Sequence, residues 1–472
     1  MKKSLKLFLL LVTIGNVSCL AQSTVRSKKV FNIKNYGAVG DNKTINTVAI
    51  NKAIEACAKA GGGTVLVPEG NFVTGTVLLK SNITLQLDYN GNFIGTHNLK
   101  DYKSYQLKAE DPIRPINITV KDSMAWCRAL VLLDNVHDVT ITGNGTIDGS
   151  TVVDKQGEEG RRGPHGIFMG DCKNITISGI RVTRAGNYNI VGLGLDNASF
   201  TNLTIAQGSD GIHIRRGTNL SIVNCKFYTS DDAIAGGYWN NMLISDCLLN
   251  SACNGIRVIL PATNLEIKDC EIFGPGVFGH KRGSLSHPLV TSTLTGIILQ
   301  PGAWGAGPGK LDSINIHDIR IRDTQTAFTI TLTEGNSGNN ISVQRIKATG
   351  ITRNAGSVEG WPDDSKLQNV RFKDISVSYK IGEEDARNAT RIVRPTTESR
   401  PLPYWGWYTR NVKNIEFENI QLDFEGTEAR PVMGFEKVEE VTLKNVQYKK
   451  SGSSKQFDIP KETKVKADNT IL

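Results

Sequence analysis

After the first twenty residues, no stretch of this 472-residue chain approaches the roughly eighteen consecutive apolar residues that a membrane-spanning helix requires. No membrane span is therefore predicted. None of the eight cysteines shows the short paired spacing of a zinc site. Seven remain once the leader described below is removed, an odd number that argues against a disulfide scaffold. A chain this long can bury a large core without such staples. Basic blocks with interleaved aromatics are also missing, so nucleic acid is not an expected partner. No metal and no cofactor are expected.

What is present begins with Lys2, Lys3 and Lys6 around an apolar run from Leu7 to Val17, followed by Cys19-Leu20-Ala21-Gln22. This is the layout of a signal peptide over residues 1–21, with cleavage after Ala21. Lipoprotein processing at Cys19 is the lesser reading, because Asn16 and Val17 suit such a site poorly. A soluble secreted or periplasmic monomer is expected. Loss of the three leader lysines lowers the formal charge from +9 to +6 over 451 residues, which favours an anionic partner such as an acidic polysaccharide or oligosaccharide.

The body of the chain repeats a small polar residue followed by an apolar, polar, apolar triplet. Examples are Asp138-Val-Thr-Ile141, Asn174-Ile-Thr-Ile177, Asn202-Leu-Thr-Ile205, Asn219-Leu-Ser-Ile222, Asn241-Met-Leu-Ile244 and Asn264-Leu-Glu-Ile267, continuing through Ser313, Asn340, Asn369 and Asn414. Short strands with one buried face, recurring once per coil of 20 to 30 residues, predict a β-solenoid. Cys225, Cys247 and Cys270 recur 22 and 23 residues apart and read as an inward column of small core residues. A helix is predicted from Thr47 to Ala60, capped by Asn46 and ended by Gly61–Gly63, covering the mouth of the solenoid. The fold class is thus all-β, a single-domain right-handed parallel β-helix over residues 22–450, with an N-terminal capping helix. Residues 451–472 read as a poorly packed polar tail.

Two loop-rich stretches interrupt the coils. Residues 274–310 carry His280, Lys281, Arg282 and His287, and residues 381–410 carry Arg387, Arg391, Arg394, Arg400, Tyr404, Trp405 and Trp407. They either build a binding cleft or shield the stack.

Gly208-Ser-Asp-Gly-Ile-His-Ile214 and Ser230-Asp-Asp-Ala-Ile-Ala235 lie one coil apart, since Ile212 and Ile234 are 22 residues apart. Coils stack about 4.8 Å apart, so Asp210, Asp231 and Asp232 meet on one exposed patch. Crowded carboxylates raise at least one pKa, which supplies the proton donor that glycosidic cleavage needs. The same count aligns Asn254 with Asp210 and Asp232, and aligns His213 with Ala235 and Arg257 in an outward column that Arg215 extends. A solvated turn or a calcium site is the plainer reading of Asp231-Asp232. For His213 and Arg257 it is ordinary surface charge.

Asn35-Tyr-Gly-Ala-Val-Gly-Asp41, Gly61-Gly-Gly-Thr-Val-Leu-Val-Pro68, Gly143-Asn-Gly-Thr-Ile-Asp-Gly149 and the aspartate segments resemble the polygalacturonase family of glycoside hydrolases, family 28, in the pectate-lyase-like parallel β-helix superfamily. The resemblance spans most of the chain and implies inverting hydrolysis, with Asp231 as general acid and Asp210 and Asp232 activating water. This sequence reads Cys253-Asn254-Gly255 where the family has Gly-His-Gly. It has Gly208 where the family has Asn, and Ile298 and Gln300 where the family has the Arg and Lys expected to hold a galacturonate carboxylate. His213, Arg215, Asn254 and Arg257 are therefore the candidate substrate-binding residues. Hydrolysis of a uronate-containing glycan leads. β-Elimination at a uronic acid, with His213, Arg215 and Arg257 supplying base and cation, is the alternative. A non-catalytic glycan-binding β-helix is the third reading.

Overall fold

The computed structural model describes residues 29–107, 123–281, 286, 288–305, 307–333, 335–361, 364, 366–380 and 389–472. The leader, Arg282, His287 and Arg387 lie outside them.

The repeated triplets become coils because each turns its two apolar side chains inward, level with those of the neighbouring coils, as Leu220 and Ile222 do beside Met242 and Ile244. Strand Ile212–Val223 pairs in parallel, residue for residue, with Ile190–Thr201 on one side and Ile234–Ser245 on the other. Ile190, Ile212, Ile234, Ile256, Ile297 and Phe328 thereby form one ladder through successive coils, all of it buried. The next residues on the strands, Val191, His213, Ala235, Arg257, Ile298 and Thr329, form the opposite column. Among the described residues, 31 strands join one sheet wound into a right-handed parallel β-helix around a continuous apolar core. Among the described residues no helix is long and apolar enough to cross a membrane.

The small polar residues that open the triplets have a specific backbone role. Asp138, Asn174, Asn202, Asn219, Asn241, Asn264, Ser313, Asn340 and Asn369 all adopt left-handed conformations with φ of 52–60°. Asn and Asp tolerate that region better than other non-glycine residues, because their short side chains find local polar partners. Here the partners come from adjacent coils: Asn174 Nδ2 donates to Asp138 Oδ1 at 2.9 Å, and Asn241 Nδ2 to Asn219 Oδ1 at 2.7 Å. These residues bend the strands without ending them. Ile212–Val223 runs through Arg216 and Asn219, both at positive φ, so strands predicted as short separate pieces are continuous.

The capping helix spans Thr47–Lys59 and buries Ile50, Ala53, Ile54 and Cys57. Asn46 occupies the N-cap position, but its side chain does not cap the helix. It accepts from Val39 N at 2.7 Å and donates to Val39 O and Thr44 O, so it closes the preceding loop instead. Cys225, Cys247 and Cys270 do stack inward, each with Sγ within 3.3 Å of a backbone carbonyl, and all are free thiols. The expectation of a poorly packed C-terminal tail is corrected in part, because the tail is exposed over most of its length yet adds strands to the sheet. Phe457–Asp458 and Lys464–Asp468 pair in parallel with strand Met433–Tyr448, and Phe457 is buried. Phe457 packs inside, whereas Lys464–Asp468, Val465 included, stays exposed and joins the sheet through backbone pairing.

Ile234 sits mid-ladder with neighbours on both sides. Ile234→Ala is expected to cost about 2–5 kcal/mol, read as a lower urea midpoint. An unchanged midpoint would contradict the inward ladder.

Candidate active site

The three aspartates converge, though not on an exposed patch. They lie on the floor of a cavity of about 260 Å³ and are 3–8% exposed. Asp210 precedes strand Ile212–Val223 and is placed by its own carbonyl, which accepts from Asn189 N at 2.8 Å and Asn189 Nδ2 at 3.1 Å. Gly208, where the resemblance expects Asn, is left-handed at φ 67°, and a Cβ there would lie 2.7 Å from Asn189 Nδ2. Asp231 is fixed one coil later by Thr229 and Ser251 hydroxyls, which both donate to its carbonyl.

Each carboxylate has its own partner. Asp210 Oδ2 is 2.7 Å from His213 Nδ1. Asp231 Oδ2 accepts from Arg162 Nη2 at 2.8 Å and lies 3.8 Å from His280 Nδ1. Asp232 Oδ1 accepts from Asn254 N at 3.1 Å and Asn254 Nδ2 at 2.8 Å, while its Oδ2 faces Arg257 Nη1 at 3.4 Å. His213 also accepts from Arg215 Nε at its Nε2, 3.1 Å away, and stacks on Tyr188 with centroids 4.9 Å apart. With Nε2 accepting, its proton sits on Nδ1 and points at Asp210.

These partners separate the three acids electrostatically. Burial, then the charges of Asp231 and Asp232, pushes the Asp210 carboxyl well above the usual carboxylate range. Burial also raises Asp232, against the pull of Arg257. For Asp231 burial acts in the same direction but is outweighed by His280 and Arg162, and the carboxyl is held below its usual range. Burial and the neighbouring Arg215 depress His213 and keep the imidazole neutral. Within this interacting set, burial and mutual repulsion favour the protonated form of Asp210, while the Arg162 pair favours the ionised form of Asp231.

Asp231, Asp232 and Cys253 each bring a potential ligand atom within 4.8 Å of the others. The set does not suit a metal ion. The carboxylate oxygens are already engaged by arginines and Asn254, and burial holds Cys253 as a protonated thiol.

All seven residues singled out from the sequence, Asp210, Asp231, Asp232, His213, Arg215, Asn254 and Arg257, are brought together, and all but Asn254 line the cavity. Asn254 lies beneath it, holding Asp232. His213 and Arg257 are not surface charges, being 4% exposed under loops. Both loop-rich stretches contribute to the walls, with His280 and Trp304 from one and Glu398 from the other. Trp405 and Trp407 are instead buried in the core. The sequence reading missed Trp126, Glu158, Glu159, Arg162 and Tyr188. Tyr188 was within reach, because it precedes Asp210 by the same 22 residues. Arg162 belongs to a turn-rich insertion between strands Thr146–Asp148 and His165–Ser178, where the coil count gives no register.

Residues 30–272 match the family described as Rhamnogalacturonase A/epimerase, pectate lyase-like. A polygalacturonase of Nicotiana tabacum is 22% identical over 402 residues, covering 79% of this chain and 91% of that protein. A family 28 exopolygalacturonase of Yersinia enterocolitica aligns over 94% of this chain and 79% of its own, with a TM-score of 0.53 and 15% identity. PfbA, a surface adhesin of Streptococcus pneumoniae, aligns over 91% and 93% with a TM-score of 0.52 and 17% identity. At such identities the structural likenesses establish the fold alone, and that fold serves a hydrolase in one case and an adhesin in the other.

A carboxyl whose folded pKa is raised contributes stability that is fullest below its unfolded pKa and is lost as pH rises through the folded value. Asp210→Asn mimics the protonated form. Its thermal midpoint should exceed that of the wild type at pH 8, with the gap closing toward pH 4; a constant gap would contradict the buried-acid assignment.

Proposed function

Because this chain belongs to the rhamnogalacturonase A/epimerase, pectate-lyase-like family and is a divergent polygalacturonase-like enzyme, we propose that it is an exported hydrolase of a uronate-containing polysaccharide or its oligosaccharides, acting with inversion through Asp210, Asp231 and Asp232. The observation that carries this reading is the meeting of three buried carboxyls with unequal proton affinity in one cavity. Inverting hydrolysis needs a carboxylic acid to protonate the leaving oxygen and a carboxylate to activate water on the opposite face. Burial favours the protonated, donor form of Asp210, and the Arg162 pair favours Asp231 as the base. This division reverses the one implied by the family resemblance, in which Asp231 donates. Asp232, held by Asn254 and Arg257, positions the water with Asp231. Arg215 donates through Nε to His213 and lines the cavity, where its guanidinium can meet a substrate carboxylate. Export rests on the leader sequence.

The elimination reading is weakened by His213. Both of its ring nitrogens are engaged, one by Asp210 and one by Arg215, so it has no lone pair free to remove a proton beside a uronate carboxylate. A purely adhesive role, as in the pneumococcal protein of like fold, gives no reason to bury three acids together.

On a panel of acidic polysaccharides, products should gain the mass of one water per bond broken and show no new ultraviolet absorbance. An unsaturated, absorbing product would establish elimination instead. Each of Asp210→Asn, Asp231→Asn and Asp232→Asn should lower turnover by about 10²–10⁴-fold. On aryl glycosides with good leaving groups Asp210→Asn should recover most of its rate and Asp231→Asn should not. The reverse pattern would assign proton donation to Asp231.

A further inference from the structure

The cavity is blocked in both directions along the stack. Toward the N-terminus, Trp126 Nε1 donates to Glu158 Oε2 at 2.8 Å, tying the 150–163 loop to the preceding coil. The same loop is anchored sideways, where Arg161 Nη2 donates to Lys281 O at 2.7 Å. Toward the C-terminus, the carbonyl of Thr397 accepts from both Arg257 and Gln300, and the Arg257 guanidinium packs over Trp304, 4.9 Å from the ring centroid. The segment 395–402 therefore sits over Ile298 and Gln300, where it encloses a separate small void. In the outward column Ile298 follows Arg257, so the chain's own loop fills the next position along the stack.

The charge in the cavity points the same way. Six carboxyl side chains line it against three arginines. Arg162 is committed to Asp231 and Glu159, and Arg257 to Asp232, Glu398 and Thr397 O. Among the described residues, Arg215 alone of the three bonds no carboxylate. A run of consecutive uronates requires a series of available cations; this cavity offers one.

We infer that the cavity receives only the end of a glycan chain, seating a terminal unit with a single carboxylate on Arg215, so that the enzyme trims from an end rather than cutting internally. The inference rests on the hydrolase reading for its chemistry, but the recognition of an end rests on the walls. A cavity of about 260 Å³, at the small end of ligand sites, has room for about one or two sugar rings.

Polygalacturonate and its oligomers are the probes. At low conversion, mass spectrometry should find only mono- or disaccharide beside polymer of nearly full length, and viscosity should fall in proportion to bonds broken. A ladder of intermediate oligomers would overturn end-trimming and leave hydrolysis standing. Calorimetry with the Asp210→Asn variant should give one binding event per chain at every length, with affinity constant beyond about two sugars. Several bound copies per long chain would overturn end recognition. End-limited binding with no turnover by the wild type would instead remove the hydrolase reading and keep the end-binding pocket. Absence of both binding and turnover would remove both. Arg215→Met should weaken end binding at least tenfold while leaving the thermal midpoint near that of wild type; unchanged affinity would overturn the single-carboxylate contact.

Discussion

Hydrogen bonding between successive coils fixes each side chain of this protein to the ones directly above and below it. The constraint is strict because strand periodicity is two, and a slip of one residue would turn every inward isoleucine to solvent and every outward polar group into the core. The ladder from Ile190 through Phe328 therefore sets the register of the opposite column as well. Asp210, Asp232 and Asn254 come to lie one above another for that reason. The chain places its acids without any dedicated local motif, through the same repeat that builds its core.

Holding three carboxyls in a buried cavity is unfavourable, since desolvation and mutual repulsion oppose ionisation of each. The structure offsets this unevenly. Arg162 approaches Asp231, Arg257 and Asn254 approach Asp232, and the Asp210 carboxyl is bonded by a neutral histidine, with Arg162 and Arg257 acting on it without a bond among the described residues. The inequality gives the site its chemical asymmetry, because equivalent acids cannot serve as donor and acceptor at once. His213 takes part as a spacer between Asp210 and Arg215, with its tautomer fixed by the pair it joins.

The departures from the polygalacturonase pattern now have a shared physical context. Gln300 stands where a cation is expected, and it binds the Thr397 carbonyl that covers that position. Asn254 stands where a histidine is expected and turns inward to hold Asp232. Gly208 permits a left-handed turn packed against Asn189. Together they describe a cavity drawn inward and closed by loops, with its cations on residues 162, 215 and 257.

The fold and the floor of the site were legible in the sequence because a parallel stack converts residue spacing directly into spatial adjacency. Counts of 22 between Ile212 and Ile234, or between Asp232 and Asn254, suffice when coils are of equal length. The walls were not legible. Arg162 reaches Asp231 across 69 residues and Thr397 reaches Arg257 across 140, through loops whose lengths follow no period. Burial was misjudged for the same reason, since outward orientation on a strand says nothing about what a distant loop lays over it. Sequence by itself thus determined which residues share a sheet face, because backbone hydrogen bonding has a fixed repeat. Tertiary structure alone decided which carboxyl faces a cation, because Arg162 is carried to Asp231 by an irregular loop.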